Sequence, residues 1–233
     1  MADATVTGAV LGAIGDRARP LLTYYGRDQR IGLSGITLEN WAAKIANYLR
    51  DEAGVMPGDT VLVDLPEHWQ SAAILLGAWW SGARVAVGTD PDALVTFTSI
   101  DRAEDHGDAQ DLVVVPLDPF AGRVPGLPPH ALDFGDTVRP HGDGYLPNGV
   151  PAAGLNELSA DAVLAGARTA AAGDGITAGR RVLSAREWHT ADGIVSNLLA
   201  PLVAGAALVW SDDPSTDSLT AIAATEHTDL TLT

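Results

Sequence analysis

The sequence contains no cysteine and a single lysine among 14 basic residues. The absence of cysteine excludes disulfides, thiolate catalysis and Cys-based zinc sites, and a fold without covalent staples suits the cytosol. Basic residues are outnumbered by 30 acidic ones, giving a formal charge of −16 that opposes binding to nucleic-acid phosphates and anionic lipid headgroups. No run reaches the roughly 18 apolar residues of a membrane span. The first apolar stretch, residues 6–14, follows Asp3 with no basic segment before it, so neither export nor a membrane partner is expected.

What is present suits a packed α/β protein. Hydrophobic residues make up 46% and charged residues 19% over 233 positions, enough for a sizeable core. The expectation is one domain, residues 1–233, with any subdivision in the Pro- and Gly-rich stretch 117–156, which reads as long loops with one short strand. Apolar spacing and an N-cap at Thr5 predict a first helix to about residue 18, stopped by Pro20. Residues 21–25 and 30–33 flank Gly26, Arg27 and Asp28 and read as a small hairpin.

A helix capped at Thr37 carries Leu38, Trp41, Ala42, Ile45 and Leu49 at helical spacing. A turn at Pro57, Gly58 and Asp59 then leads into a buried strand over 60–65. A second helix over 67–81 carries Trp69, Ala73, Leu76 and Trp80 and ends at Gly82, before a short strand over 84–87. Trp79 and Trp80 differ by about 100° around this helix, so one belongs in the core and the other is free for an interface. Further helices over 160–172, 190–203 and 215–225 alternate with strands over 181–183, 206–210 and 229–232. This alternation calls for right-handed crossovers and a mostly parallel sheet covered by helices on both faces, with the small N-terminal hairpin attached.

Two blocks carry a resemblance. Residues 54–63 (GVMPGDTVLV) and 75–87 (LLGAWWSGARVAV) lie within a first block over 21–88, and residues 198–209 (LLAPLVAGAALV) within a second over 181–210. Both resemble the amino-terminal part of the acyl-adenylate-forming superfamily, the AMP-binding, acyl-CoA synthetase-like enzymes. More closely, the chain resembles short actinobacterial members of that group. The resemblance implies ATP chemistry resting on a Ser/Thr/Gly-rich loop that ends in Pro-Lys-Gly, placed between the two blocks. The interval 164–181 has Gly173, Gly175 and Gly179 but no Pro-Lys-Gly, and reads as a helix followed by a turn. The single lysine, Lys44, falls in the middle of an earlier helix. The family's second lysine and its adenosine motifs are expected beyond residue 233.

Other constellations have simpler readings. The three glycines follow a helix rather than a strand and miss the dinucleotide-binding spacing, so a turn is expected. Asp101, Glu104, Asp105, His106, Asp108 and Asp111 could face a hard cation, but they do not fit an EF-hand loop and read as a solvated loop. Ser184, His189 and Asp192 lie too close in sequence for a catalytic triad, and no nucleophile elbow surrounds Ser184. Trp188, His189, Asp192 and Gly193 occupy the place of the family's H-x-x-G segment, which lines the acyl pocket, although His189 to Gly193 is one residue longer. The alternative is that Thr190 or Asp192 caps the following helix and Trp188 packs in the core.

The expected function is therefore that of a degenerate, non-catalytic relative serving as a binding or interaction module, with no cofactor. Its candidate ligand-binding residues are Ser184, Trp188, His189, Asp192 and Gly193, and its expected ligand is a small acyl or anionic molecule. The alternative is an acyl-CoA synthetase-like enzyme or subunit that handles an acyl, CoA or nucleotide ligand with a partner chain. A protein partner or a homodimer formed through exposed apolar surface is a third expectation.

Overall fold

The computed structural model describes residues 5–26, 29–147 and 154–233. Helix α1 (Val6–Ala13) starts at Thr5, whose side chain accepts the Gly8 N–H. It is shorter than its apolar spacing predicts. Ile14 is already extended, and Asp16 Oδ1 accepts the Ala18 N–H in a turn that feeds strand β1 (Pro20–Gly26). Strand β2 (Gln29–Ser34) pairs antiparallel with β1, forming the expected hairpin, whose turn residues Arg27 and Asp28 lie outside the described residues.

Helix α2 (Gly35–Asp51) is capped by Ser34 rather than Thr37. The Ser34 hydroxyl accepts the Thr37 N–H, so the helix begins three residues earlier than expected. Strand β3 (Thr60–Asp64) and helix α3 (Trp69–Ser81) follow, and α3 stops at Gly82, whose φ of 91° is readily available only to glycine. Trp79 on α3 is fully buried and donates to the Gly154 carbonyl, whereas Trp80 is half-buried beneath Tyr145.

Strand β4 (Arg84–Ala86) comes next, then β5 (Val95–Ser99), a 3₁₀ helix (Ile100–His106) and β6 (Asp111–Val115). The acidic stretch expected as a loop is therefore largely this 3₁₀ helix. The Pro- and Gly-rich region holds strand β7 (Ala131–Asp133) and helix α4 (Phe134–Val138); its residues 148–153 lie outside the described residues. Helix α5 (Ala160–Gly173) and strand β8 (Arg181–Ser184) precede a continuous helical run made of α6 (Ala191–Gly193), a π-helical turn (Ile194–Leu199) and α7 (Ala200–Val203). Strand β9 (Ala207–Ser211), helix α8 (Thr216–Glu226) and strand β10 (Leu230–Leu232) complete the chain.

The fold is α/β, and its parallel strands fall into two five-stranded sheets. One has the order β10-β8-β9-β1-β2, parallel except for the β1–β2 hairpin; the other, β4-β3-β5-β6-β7, is parallel throughout. Helices α2 and α3 pack on each other and contact strands of both sheets. One hydrophobic core joins the two sheets: Leu22 and Leu208 from the first meet Val61, Val63, Phe97 and Val113 from the second, around Leu38, Ile45 and Leu76. Alternation along the strands gives each sheet a second apolar face. On the first, Leu183 and Val209 pack against Leu219 and Ile222 of α8; on the second, Leu112 and Val114 pack against Ala103 of the 3₁₀ helix. No described helix is long and apolar enough to cross a membrane.

Candidate functional site

A cleft of about 690 Å³ opens where strands of both sheets end. Loops after the carboxyl ends of parallel strands are the usual place for ligand clefts in α/β folds, because the strands deliver successive loops to one edge. Strand β3 supplies Asp64 through Glu67, β4 leads to Val87 through Thr89, β5 ends at Ser99, and the loop after β8 brings His189, Thr190 and Ala191 from the other sheet.

Two carboxylates, the buried Asp64 and the partly buried Glu67, organise the cleft. Asp64 ends β3 and is bracketed by two residues of the 3₁₀ helix: Arg102 donates to Oδ1, and His106 Nε2 lies 2.7 Å from Oδ2. An ionised carboxylate only accepts, so Nε2 carries the hydrogen in that bond. Glu67 joins the two sheets across the cleft. Its Oε1 accepts the Trp188 N–H at 2.6 Å and the His189 N–H at 2.9 Å, and stands 2.8 Å from His189 Nδ1. The Asn197 side chain holds the same loop by donating to the Glu187 carbonyl at 2.7 Å.

With Asp64 and Glu67 occupied, the other polar groups lining the cleft include the remaining Arg102 N–H donors, the hydroxyls of Thr89 and Ser99, and the exposed Asp101 carboxylate beside Arg102. Val63, Leu65, Pro66 and Val87 supply apolar wall. Donors beside an apolar wall suit a ligand with an anionic head and an apolar body.

The residues expected to bind ligand take different places. His189 lines the cleft with its side chain 45% exposed. Trp188 lies beneath, 2% exposed, with its ring edge-to-face against Trp210 at 6.2 Å. Its Nε1–H has no acceptor among the described residues. Ser184 is buried at the end of β8, where its hydroxyl accepts the Arg186 N–H. Thr190 caps the helix by accepting the Gly193 N–H at 3.1 Å, and Asp192 is exposed in the first turn. Gly193 is buried against the loop, where a Cβ would meet the Glu187 carbonyl oxygen at 2.6 Å. The structure thus brings His189 and Thr190 to the cleft, with Ser184, Trp188 and Gly193 outside its lining.

Aromatic packing continues behind Glu67. Tyr24 stacks on Trp210 and meets His68 edge-on at 4.8 Å. Burial, with the Asp212 and Glu67 carboxylates, pushes the Tyr24 hydroxyl up to about 12. Burial lowers His68 to about 3, so the ring is neutral; its Nδ1 accepts the Gln70 N–H at the start of α3.

Asp64, Glu67, Arg102 and His106 were not among the residues expected at the site. The one available signal was the single carboxylate in the otherwise apolar run 61–65, since a charge at the end of a buried strand needs a partner. That partner lies about forty positions away and leaves no local pattern.

A protein of Mycobacterium tuberculosis (strain H37Rv), described as a TIGR03089 family protein, is 40% identical over 233 residues, covering 95% of this chain and 96% of that protein. The chain belongs to the TIGR03089 family. No protein-family profile matches it. Among solved structures, the TIGR03089 chain is similar to an acyl-CoA synthetase of Brucella canis, with a TM-score of 0.77 and 19% identity over 97% of this chain and 46% of that one. It is also similar to acetoacetyl-CoA synthetase of Streptomyces lividans, with a TM-score of 0.73 and 19% identity over 97% of this chain and 42% of that one. The family therefore has an acyl-CoA synthetase-like fold, as the two sequence blocks implied, and this chain spans less than half the length of those structures.

Proposed function

We propose that this chain is a binding module, a non-catalytic relative of acyl-adenylating enzymes that holds a small carboxylate-bearing acyl molecule in the cleft. The carboxylate would meet Arg102 and the cleft hydroxyls, and the acyl body would lie on Val63, Leu65, Pro66 and Val87. The charge of −16 argues against nucleic acid and anionic membranes as partners, and the cysteine-free composition favours the cytosol.

The observation that carries the non-catalytic part is the environment of Lys44. The chain's one lysine donates to the Arg139 carbonyl at 3.2 Å and the His141 carbonyl at 2.6 Å, and pairs with Asp143 at 2.8 Å, all on a loop outside the cleft. Transfer from ATP needs cations on the phosphoryl oxygens. Arg102 is the one arginine or lysine among the described residues that line the cleft, and no lysine stands beside it.

The test is a thermal-shift screen with fatty acids, CoA, acyl-CoA and ATP, run beside a carboxylate-dependent ATP–pyrophosphate exchange assay. A fatty acid or acyl-CoA should raise the melting temperature, and Arg102→Gln should remove the shift. Exchange should stay at the level of heat-killed protein. Exchange above that level would overturn the non-catalytic reading, and exchange only on adding a second chain would support the enzyme-subunit alternative.

A further inference from the structure

At the opposite edge of the first sheet, where β1, β8 and β9 begin, lies a second cavity of about 550 Å³. Its size is within the roughly 300–1,000 Å³ of small-molecule sites. It shares no lining residue with the cleft.

Its charge arrangement is unusual for this chain. With 30 acidic residues to 14 basic ones, an arginine readily finds a carboxylate, and Arg17, Arg50, Arg84, Arg102, Arg123 and Arg186 each have one. Arg19 and Arg180 both line this cavity, and neither side chain has a hydrogen-bond or ion-pair partner among the described residues. Arg168, outside the cavity, also lacks one.

Below them, Arg181 and Arg30 share one carboxylate. Glu226, with its side chain 5% exposed, takes Arg181 on Oε2 and Arg30 on Oε1, and also accepts the Tyr25 hydroxyl at 2.6 Å. Two guanidiniums thus converge on this one carboxylate. The cavity's other two carboxylates accept backbone N–H groups rather than arginine: Asp229 Oδ2 accepts the Arg181 N–H at 2.8 Å, and Asp16 Oδ1 accepts the Ala18 N–H at 3.0 Å.

We propose that this cavity is a second binding site, one that takes the phosphoryl group of a small molecule between Arg19 and Arg180. Two rim guanidiniums match the two charges of a phosphoryl dianion, and each can donate a forked pair of hydrogen bonds to its oxygens. A monocarboxylate would satisfy only one of them.

Titration of the ¹⁵N-labelled protein with inorganic pyrophosphate at neutral pH, followed by NMR, tests this, with succinate, a dicarboxylate dianion at that pH, as the comparison. Pyrophosphate should move the amide resonances of Gly179, Arg180 and Gly205 in a saturable way, more tightly than succinate does. Arg19→Gln and Arg180→Gln should each weaken binding by about tenfold or more, since each removes a charge-assisted pair. Both residues are exposed, so the variants should keep the native spectrum elsewhere. His189→Ala, at the other edge, should leave pyrophosphate binding unchanged, which separates this site from the cleft. Absence of saturable shifts at these amides overturns the proposal. So does equal binding of succinate, or pyrophosphate binding that survives in the Arg19→Gln, Arg180→Gln double variant.

Discussion

At the carboxyl ends of the strands the carboxylates Asp64 and Glu67 act as clasps; at the amino ends one buried carboxylate is shared by two arginines while two others line the cavity without one. Asp64 and Glu67 accept donors from a 3₁₀ helix and from a loop of the other sheet, so their charge is spent on holding the cleft's walls in place. Glu226 holds Arg30 and Arg181 together, while Arg19 and Arg180 nearby have no partner among the described residues. Buried charges with complete partners report on architecture, and charges left over report on recognition. Substitutions that remove a clasp should therefore cost stability, and those that remove a leftover charge should cost binding.

The largest effect is expected beneath the cleft. Trp188 fills the space behind His189, so Trp188→Ala should lose about 3 to 5 kcal/mol in urea unfolding by leaving a cavity beside Trp210. Because the Trp188 Nε1–H has no acceptor among the described residues, Trp188→Phe should cost much less. A small loss for Trp188→Ala, together with lost fatty-acid binding, would move Trp188 from the wall's support into the ligand site.

Glu226 comes next. Glu226→Gln leaves two guanidiniums without a counter-charge, one of them on the largely buried Arg181, and should cost about 3 kcal/mol at neutral pH. Burial alone would raise this carboxyl, but hydrogen bonds from Arg30, Tyr25 and Arg181 outweigh it and hold it at about 2, below its ordinary 4.5. A depressed carboxyl stabilises the folded state above its unfolded value and loses that contribution as the pH falls. The gap between wild type and Glu226→Gln should be full above about pH 4.5 and close as the pH approaches 2. A gap that does not change with pH would mean the variant acts through packing rather than charge.

How far these features could be read in advance follows the same contrast between local and distant partners. Helices α2 and α3, Gly82 and strands β3, β8 and β9 were legible because apolar spacing and caps are written within a few residues of each element. The division into two sheets was not, since β1 pairs with β9 across most of the chain and a parallel partner leaves no local mark. The His189 loop was found through a resemblance between short motifs. Glu67, its anchor, was missed because the hydrogen bonds that give it meaning span more than 120 positions. The end of α1 was overestimated because apolar spacing continues past Ala13, while the Asp16 turn that stops the helix depends on one side-chain hydrogen bond.

Glu67 offers a smaller test of the clasp. In Glu67→Ala two backbone N–H groups, of Trp188 and His189, lose their acceptor, and the expected cost is about 2 kcal/mol. The loop that carries His189 should loosen with it, so amide exchange at residues 187–190 should quicken while the amino-terminal edge of the sheet stays protected. Uniform quickening across both edges would show that Glu67 supports the whole fold and not one wall of the cleft.

The smallest effect is expected at Lys44, which belongs to neither edge. Its ammonium bridges two carbonyls and the Asp143 carboxylate on the loop after α4, and half-exposed contacts of this kind contribute about 1 kcal/mol in total. Lys44→Ala should therefore lower the urea midpoint slightly and leave both fatty-acid and pyrophosphate binding as they were. Rising salt should erase part of the stability difference between the two proteins, because the Asp143 partner is exposed and its charge is screened. Were Lys44→Ala instead to abolish binding at the cleft, or to remove a residual ATP–pyrophosphate exchange, this lysine would have to leave its three partners in solution and reach a phosphate. The non-catalytic reading of the cleft would then fail at the residue that carries it.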